Sequence, residues 1–152
     1  MVDVADKNIT QRVAVASGVL RMLPATLARI QAGKIAKGDV LTVADVAAVM
    51  AAKNTANLIP MCHTLPLSGV EIVYDDTLPV DASGCVALKV LATVRCTGQT
   101  GVEMEALCAA SAALLTVYDM CKAIDRGMRI EYVQLEEKRG GKSGSWMRGA
   151  QA

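Results

Sequence analysis

The sequence of 152 residues contains no phenylalanine, and aromatic residues make up only 3% of it. Aliphatic side chains therefore supply most of its 53% hydrophobic content, which is high for so small a chain. A chain of this length can bury a core without disulfides or metals, and the aliphatic content excludes disorder. We expect a single domain over residues 1–152, with the excess aliphatic surface buried between the subunits of a homo-oligomer.

Long hydrophobic runs and targeting segments are missing as well. The most apolar stretch, residues 106–118, contains Ser111 and Thr116 and is shorter than the roughly 20 residues that cross a bilayer. The first twelve residues lack the apolar region of a signal peptide. These absences predict that the protein has no membrane partner and lies in the cytoplasm.

Neither charge sign is in clear excess, because 16 Lys and Arg residues face 15 Asp and Glu residues. The net charge of +1 excludes the general electrostatic footprint of a nucleic-acid-binding protein but leaves room for local basic clusters. The five cysteines are odd in number, and no two of them have the C-x-x-C spacing. The sequence therefore predicts reduced thiols, no disulfide framework and no metal site.

Hydrophobic periodicity predicts the element order β-αα-β-β-α-β. The predicted strands cover residues 12–21, 70–74, 86–95 and 129–135, and the predicted helices cover residues 25–32, 43–53 and 102–124. Asp39 or Thr42 can cap the second helix. Residues 57–67 are expected to form an ordered loop, and a mobile tail is expected from about residue 140. Without the extra helix the order is βαββαβ, which predicts a ferredoxin-like α+β fold with helices on one face of an antiparallel sheet.

The long predicted helix carries two carboxylates on one face. A rotation of about 100° per residue places Glu105 and Asp119 on a common line, with small side chains between them. Lys122 follows Asp119 at the i,i+3 spacing that allows an ion pair. Solvation of the two helix ends would explain these charges, yet an acid near the C-terminus of a helix is opposed by the helix dipole. Both a structural and a functional role stay open on this pattern alone.

The single histidine and the lysines allow two interpretations each. His63 lies in a proline-framed segment and can be structural or catalytic. The lysines can be solvated, or several of them can converge on a polyphosphate; they are Lys37, Lys53, Lys122, Lys138 and Lys142. A P-loop is excluded because Glu136 stands where that motif requires glycine. Residues 97–101 can offer backbone N–H groups to an anion or carbonyl at the N-terminus of the long helix.

Seven blocks of sequence, taken in order, closely resemble the MoaC family. They are residues 1–7, 37–40, 51–53, 58–63, 97–107, 118–123 and 140–144. Three positions depart from the usual pattern of the family, since Met61 replaces a leucine, Thr64 a proline and Ala48 a glycine. None of these departures removes a charged group.

The resemblance implies a reaction. Members of this family are cyclic pyranopterin monophosphate synthases of molybdenum cofactor biosynthesis, which are phosphorus–oxygen lyases. Their substrate is 3′,8-cyclo-7,8-dihydro-GTP, and their products are cyclic pyranopterin monophosphate and pyrophosphate. The resemblance implies no bound cofactor, although Mg²⁺ can accompany the triphosphate of the substrate. It also implies a hexamer built from dimers. A catalytically silent pterin- or nucleotide-binding paralogue, or a structural partner in cofactor assembly, is the alternative.

The resemblance also implies roles for individual residues. Asp119 corresponds to the catalytic acid/base of the family, and Lys122 to its partner. The other matching positions are implied to bind substrate; they are Met61, Cys62, His63, Met104, Glu105, Glu103, Arg12, Lys37, Lys53 and Lys138. Because Glu105 and Asp119 are fourteen positions apart on one helix, their Cα atoms lie about 21 Å apart. We therefore expect each active site to lie between subunits, one contributing Glu105 and its neighbour Asp119. The alternative is that one carboxylate is catalytic within a single chain and the other only solvates the helix.

Overall fold

The computed structural model describes residues 1–149, so residues 150–152 of the expected tail lie outside the described part of the chain. The strands are β1 (Thr10–Met22), β2 (Leu67–Asp75), β3 (Val86–Gly98), β4 (Arg129–Arg139) and β5 (Trp146–Met147). The helices are α1 (Pro24–Gln31), α2 (Val40–Lys53), α3 (Thr55–Leu58) and α4 (Glu103–Cys121).

One antiparallel sheet has the strand order β2-β3-β1-β4-β5. The helices pack on one of its faces: α4 contacts β1, β3 and β4, and α2 contacts α4 and β2. This arrangement is consistent with a ferredoxin-like α+β fold and confirms the fold class expected from the periodicity. The first strand is therefore central in the sheet, although it comes first in the chain.

The hydrophobic core lies between the sheet and the helices. The strands supply alternate residues to it, such as Ala14 and Ala16 of β1 and Val90 and Ala92 of β3, as the period of two in a strand requires. The buried residues of α2 recur at every fourth position and are mostly alanines (Val40, Ala44, Ala48 and Ala52). Small side chains at this spacing bring the axes of α2 and α4 close together.

Two elements differ from the sequence prediction. The segment predicted as an ordered loop, residues 57–67, overlaps the end of α3, a helix of one turn, and the first residue of β2. The expected tail contains β5, in which Trp146 pairs with Lys138 and Met147 with Glu137. Both elements are too short to carry a period, so hydrophobic patterning cannot detect them. The structure places Asp39 at the N-cap of α2, where its side chain accepts a hydrogen bond from the N–H of Thr42 at 3.1 Å.

Among residues 1–149, α4 is the one helix long and apolar enough to cross a membrane by length and composition. The helix extends beyond the short apolar stretch noted in the sequence, which is why it meets this length criterion. However, 56% of its most apolar window is buried inside the protein. The core helix of a folded domain has the same composition, so this finding is weak evidence for a membrane span.

Asp125, in the turn after α4, ties the two ends of the helical layer together. Its Oδ2 accepts hydrogen bonds from the N–H of Leu23 at 2.9 Å and the hydroxyl of Thr26 at 3.0 Å. Leu23 is the N-cap residue of α1 and provides no side-chain cap itself. The buried carboxylate of Asp125 therefore caps α1 from a distant part of the sequence.

Candidate active site

A bulge in β4 brings two predicted site residues to the same end of the sheet. Ala16 pairs with Leu135 and Val15 with Glu137, so Glu136 is the extra residue. Lys138 consequently lies opposite the buried Ala14 on the face that the helices cover. Arg12 lies on the same face, opposite Cys96. The sheet thus presents two cations close to the N-terminus of α4.

These cations line a cavity of about 890 Å³. Five cationic and two acidic side chains line this basic cavity, and they are Lys7, Arg12, Lys138, Arg139, Lys142, Asp6 and Glu103. Arg12 donates hydrogen bonds to the carbonyl oxygens of Gly98 at 3.3 Å and Gln99 at 3.2 Å, which holds its guanidinium in the wall. Such a surplus of donors and positive charge suits a ligand with several phosphate groups.

Two glycines allow the loop between β4 and β5 to close the basic cavity. Gly140 and Gly141 have φ angles of +94° and +78°, which side chains rarely adopt. A Cβ atom at Gly140 would overlap the backbone oxygen of Gln11, and one at Gly141 would overlap the guanidinium of Arg12. The ammonium of Lys138 donates to the hydroxyl of Ser143 in the same loop. The loop therefore packs directly on the cationic wall.

The N-terminus of α4 supplies the acidic part of this cavity. The carboxylate of Glu103 lies against Gly101, so closely that a Cβ atom at Gly101 would overlap it. The positive end of the helix dipole stabilises this carboxylate. Residues 97–101 were predicted as an anion or carbonyl site, and the side chain of Glu103 lies next to that position.

Glu105, two residues further along α4, is buried with only 4% of its surface exposed. Burial raises the pKa of its carboxyl group, and the nearby charge of Glu103 raises it further. Burial also raises the pKa values of the thiols of Cys62 and Cys96, and Glu105 is the next cause for both. Glu105 is therefore an acid in apolar surroundings that favour its protonated form.

A second, smaller cavity of about 410 Å³ lies next to the basic cavity, and Gln99 lines both. His63 and residues 1–5 form the rest of its wall. Cys62 and His63 are half-buried, whereas Met61 is 69% exposed. Met104, at the start of α4, is 37% exposed. The structure therefore places the predicted substrate-binding segments 61–63 and 103–105 in one region.

The C-terminal end of α4 carries a different arrangement around Asp119. Its carboxylate forms salt bridges with Lys122 at 2.7 Å and with Lys37 at 2.6 Å. Lys37 also donates to the backbone oxygen of Asp119 at 3.0 Å. Hydrogen bonds from Lys122 and then Lys37 lower the pKa of Asp119 to about 2, and the pKa of Lys122 is raised in return. All three side chains are about half exposed.

Comparison with known proteins identifies the family. The model of the MoaC family matches residues 1–141. A cyclic pyranopterin monophosphate synthase of Chloroflexus aurantiacus is 58% identical over 148 residues, which cover 97% of this chain and 88% of that protein. The protein of the same name from Brevibacillus brevis is 55% identical, covering 98% of this chain and 89% of its own length. That from Limosilactobacillus fermentum is 56% identical, covering 98% and 87% respectively.

The chain belongs to the MoaC family. The resemblance drawn from the sequence blocks is confirmed.

Within this MoaC family chain the predicted site residues form two separate groups. Arg12, Glu103 and Lys138 line the basic cavity, with Glu105 and segment 61–63 beside it. Asp119, Lys122 and Lys37 form the second group at the far end of α4. Lys53 lies in the last turn of α2, outside the walls of both cavities as residues 1–149 define them.

Lys7 and Arg139 are not among the site residues predicted from the sequence, and Lys142 is there only one of several lysines that could bind a polyphosphate. All three line the basic cavity. Two of the matching blocks, residues 1–7 and 140–144, contain Lys7 and Lys142, so the signal for them was present. Among residues 1–149, no three His, Cys, Asp or Glu side chains are grouped so that they could hold a metal ion. The expectation that the protein has no resident metal stays a prediction.

Proposed function

We propose that this chain is a cyclic pyranopterin monophosphate synthase, a phosphorus–oxygen lyase of molybdenum cofactor biosynthesis in the cytoplasm. Its substrate would be 3′,8-cyclo-7,8-dihydro-GTP, and its products cyclic pyranopterin monophosphate and pyrophosphate. The observation that carries the proposal is the shared name of relatives that are 55–58% identical over nearly the whole chain. The basic cavity supports it, because a triphosphate carries about four negative charges and requires several cationic donors.

The charged groups fit the chemistry of the last step. Formation of the cyclic phosphate creates a bond between a sugar hydroxyl oxygen and the α-phosphorus, and it breaks the bond from that phosphorus to pyrophosphate. The hydroxyl proton must go to a base, and the cations of the basic cavity would stabilise the charge on the departing pyrophosphate. Mg²⁺ bound to the phosphates can share that task.

The two carboxylates suit opposite directions of proton transfer during the ring rearrangement. Asp119 is ionised throughout the neutral range because its pKa is lowered to about 2, so it begins as a proton acceptor. A phosphate that attracts Lys37 or Lys122 away from Asp119 would raise that low pKa and strengthen the base. Glu105, with its raised pKa, is the better proton donor of the two.

Conversion of the cyclised dihydro-GTP, followed by mass spectrometry, tests the function. We expect cyclic pyranopterin monophosphate and pyrophosphate in equal amounts. Binding of the substrate without turnover would instead identify a catalytically silent binding paralogue. Absence of both binding and turnover would leave the structural role in cofactor assembly.

We further propose that each active site lies between two subunits of a homohexamer built as a trimer of dimers. One chain holds Glu105 and Asp119 about 21 Å apart, since they are separated by fourteen residues of helix at 1.5 Å each. Exposed aliphatic side chains support assembly: Val43, Val46 and Met50 lie on one face of α2 and are 43%, 60% and 56% exposed. An unpaired aliphatic stripe of this kind is typical of a subunit contact.

Mixing two inactive variants tests the shared site. An Asp119→Asn chain and a Glu105→Gln chain, exchanged between oligomers, would produce mixed dimers with one intact site and one doubly changed site. If the chains pair at random, about a quarter of the wild-type activity should return. No recovery, once mass spectrometry has shown exchange of folded subunits, would place the whole site within one chain.

A further inference from the structure

Residues 1–8, here called the N-terminal segment, form a wall that the two cavities share. Residues 6–8 line the basic cavity, and residues 1–5 line the cavity that contains His63. The segment precedes β1 and contains neither helix nor strand. The hydrogen-bonded ladder of the sheet therefore does not hold it in place, and its position depends on other contacts.

The side chain of Gln99 provides such contacts. Its amide nitrogen donates hydrogen bonds to the carbonyl oxygens of Ala5 at 2.9 Å and Lys7 at 3.2 Å. The backbone oxygen of Gln99 accepts a hydrogen bond from the guanidinium of Arg12 at 3.2 Å. Gln99 thus connects the N-terminal segment to the strand that carries the cationic wall. A turn closed by the N–H of Lys7 and the oxygen of Val4, at 3.0 Å, keeps the segment compact.

The contacts of Gln99 also fix the backbone at Lys7, which lies in the wall of the basic cavity. Lys7 is exposed and lines the basic cavity together with Arg12 and Lys138. Within the described residues, its ammonium has no carboxylate in a salt bridge. Its charge is therefore available to a ligand and is not neutralised by the protein.

We propose that Lys7 binds the phosphate chain of the ligand in the basic cavity, and that Gln99 is the positioning residue that holds Lys7 there. The proposal rests on the proposed function for the identity of the ligand. The geometry itself requires only a polyphosphate, so inorganic tripolyphosphate is a suitable probe. Gln99 would act through the N-terminal segment, with its side chain bonded to the carbonyl groups of Ala5 and Lys7.

Calorimetric titration of the full chain with tripolyphosphate tests both residues. Lys7→Ala should weaken binding about tenfold, as loss of one charge-assisted contact does. Gln99→Ala should weaken it by a similar factor. Lys34→Ala and Gln31→Ala are the matched controls, because both residues are exposed and lie outside the two cavities. Unchanged affinity in Lys7→Ala, or no binding of tripolyphosphate to the wild type, would overturn the proposal.

The double variant Lys7→Ala/Gln99→Ala separates positioning from direct contact. If Gln99 acts only through Lys7, the double variant should bind no more weakly than the weaker single variant. A hundredfold loss, the product of two independent effects, would show that Gln99 acts on the ligand in another way.

Amide hydrogen exchange supplies a measurement that a general loss of stability would not reproduce. In Gln99→Ala, residues 2–8 should exchange faster while β1 keeps its protection. Equal exchange in the segment would contradict the positioning role. These outcomes are independent of turnover: a chain that binds tripolyphosphate as described but does not convert the cyclised dihydro-GTP would refute the proposed function and leave this inference intact.

Discussion

The two ends of α4 carry carboxylates in opposite surroundings. Asp119 at the C-terminal end is about half exposed and lies between two ammonium groups, so its pKa is lowered to about 2. Glu105 at the N-terminal end is buried near thiols, so its pKa is raised. The difference arises because contacts with cations lower the pKa of one carboxyl group and burial raises the pKa of the other. One helix thus carries a carboxyl group with a lowered pKa at one end and a carboxyl group with a raised pKa at the other.

Asp119→Asn should have the largest effect of the changes considered, because it removes the ionised carboxylate at the C-terminal end of α4. Loss of a general acid or base lowers a rate by about 10²- to 10⁴-fold, and we expect turnover of the cyclised dihydro-GTP to fall within that range. The melting temperature should fall only slightly, because salt bridges between half-exposed side chains contribute little to stability. Asp76→Asn, an exposed aspartate outside both groups, is the control. Turnover within threefold of the wild type would refute the assignment of Asp119.

Gly140→Ala should displace the loop between β4 and β5 that lines the basic cavity, near the N-terminal end of α4. The positive φ of residue 140 is unfavourable for alanine, and the added methyl group would overlap the backbone of Gln11. Gly144→Ala is the control, since Gly144 also has a positive φ but nothing lies within 4 Å of its would-be Cβ. We expect the control to lose about 1–2 kcal/mol of unfolding free energy and Gly140→Ala to lose more. Urea unfolding measures both, and equal losses would contradict the close packing of the loop.

Removal of Lys122 or Lys37 should reduce the difference between the two carboxyl groups, because the pKa of Asp119 should rise from about 2 towards its ordinary value of 3.8. Lys122→Ala should have the larger effect, because its hydrogen bond is the main cause of the lowered pKa. The folded state binds this proton more weakly than the unfolded state. The contribution of Asp119 to stability is therefore present above pH 3.8 and is lost as the pH falls towards 2.

NMR titration of the Asp119 carboxyl carbon measures these shifts, with Lys34→Ala as the control. A larger pKa shift in Lys37→Ala than in Lys122→Ala would show that Lys37, and not Lys122, is the main cause of the lowered pKa of Asp119.

Glu105→Gln should have the smallest effect on the free energy of unfolding, and the sign of that effect is opposite. The folded state holds the Glu105 proton more tightly than the unfolded state, so the free energy of unfolding decreases as the pH rises above 4.5. The glutamine variant lacks this penalty. Its melting temperature should exceed that of the wild type at pH 7 and approach it at pH 4. Equal melting temperatures at both pH values would show that burial does not disfavour the ionised form of Glu105.

The sequence predicts what depends on local spacing and misses what depends on distant partners. Strands β1 to β4 and helices α1, α2 and α4 follow from periodicity, and the pair of Lys122 with Asp119 follows from the i,i+3 rule. The contact between Lys37 and Asp119 joins residues 82 positions apart, so no local pattern contains it. The wall that residues 1–8 form between the two cavities cannot be predicted from local spacing either, because Gln99 donates hydrogen bonds to residues 92 and 94 positions away.

The central position of β1 also determines the order in which the molecule can fold. β2 and β3 are neighbours in the chain and can pair as soon as both exist, whereas β1 pairs Thr10 with Gly98 and Val13 with Arg139. Contacts between such distant residues close large loops and place a protein among the slower folders. On the ribosome, both edges of the first strand stay unpaired until most of the chain has been made. Asp125 can cap α1 only after that point, so β1 and α1 are synthesised well before the residues that complete their contacts.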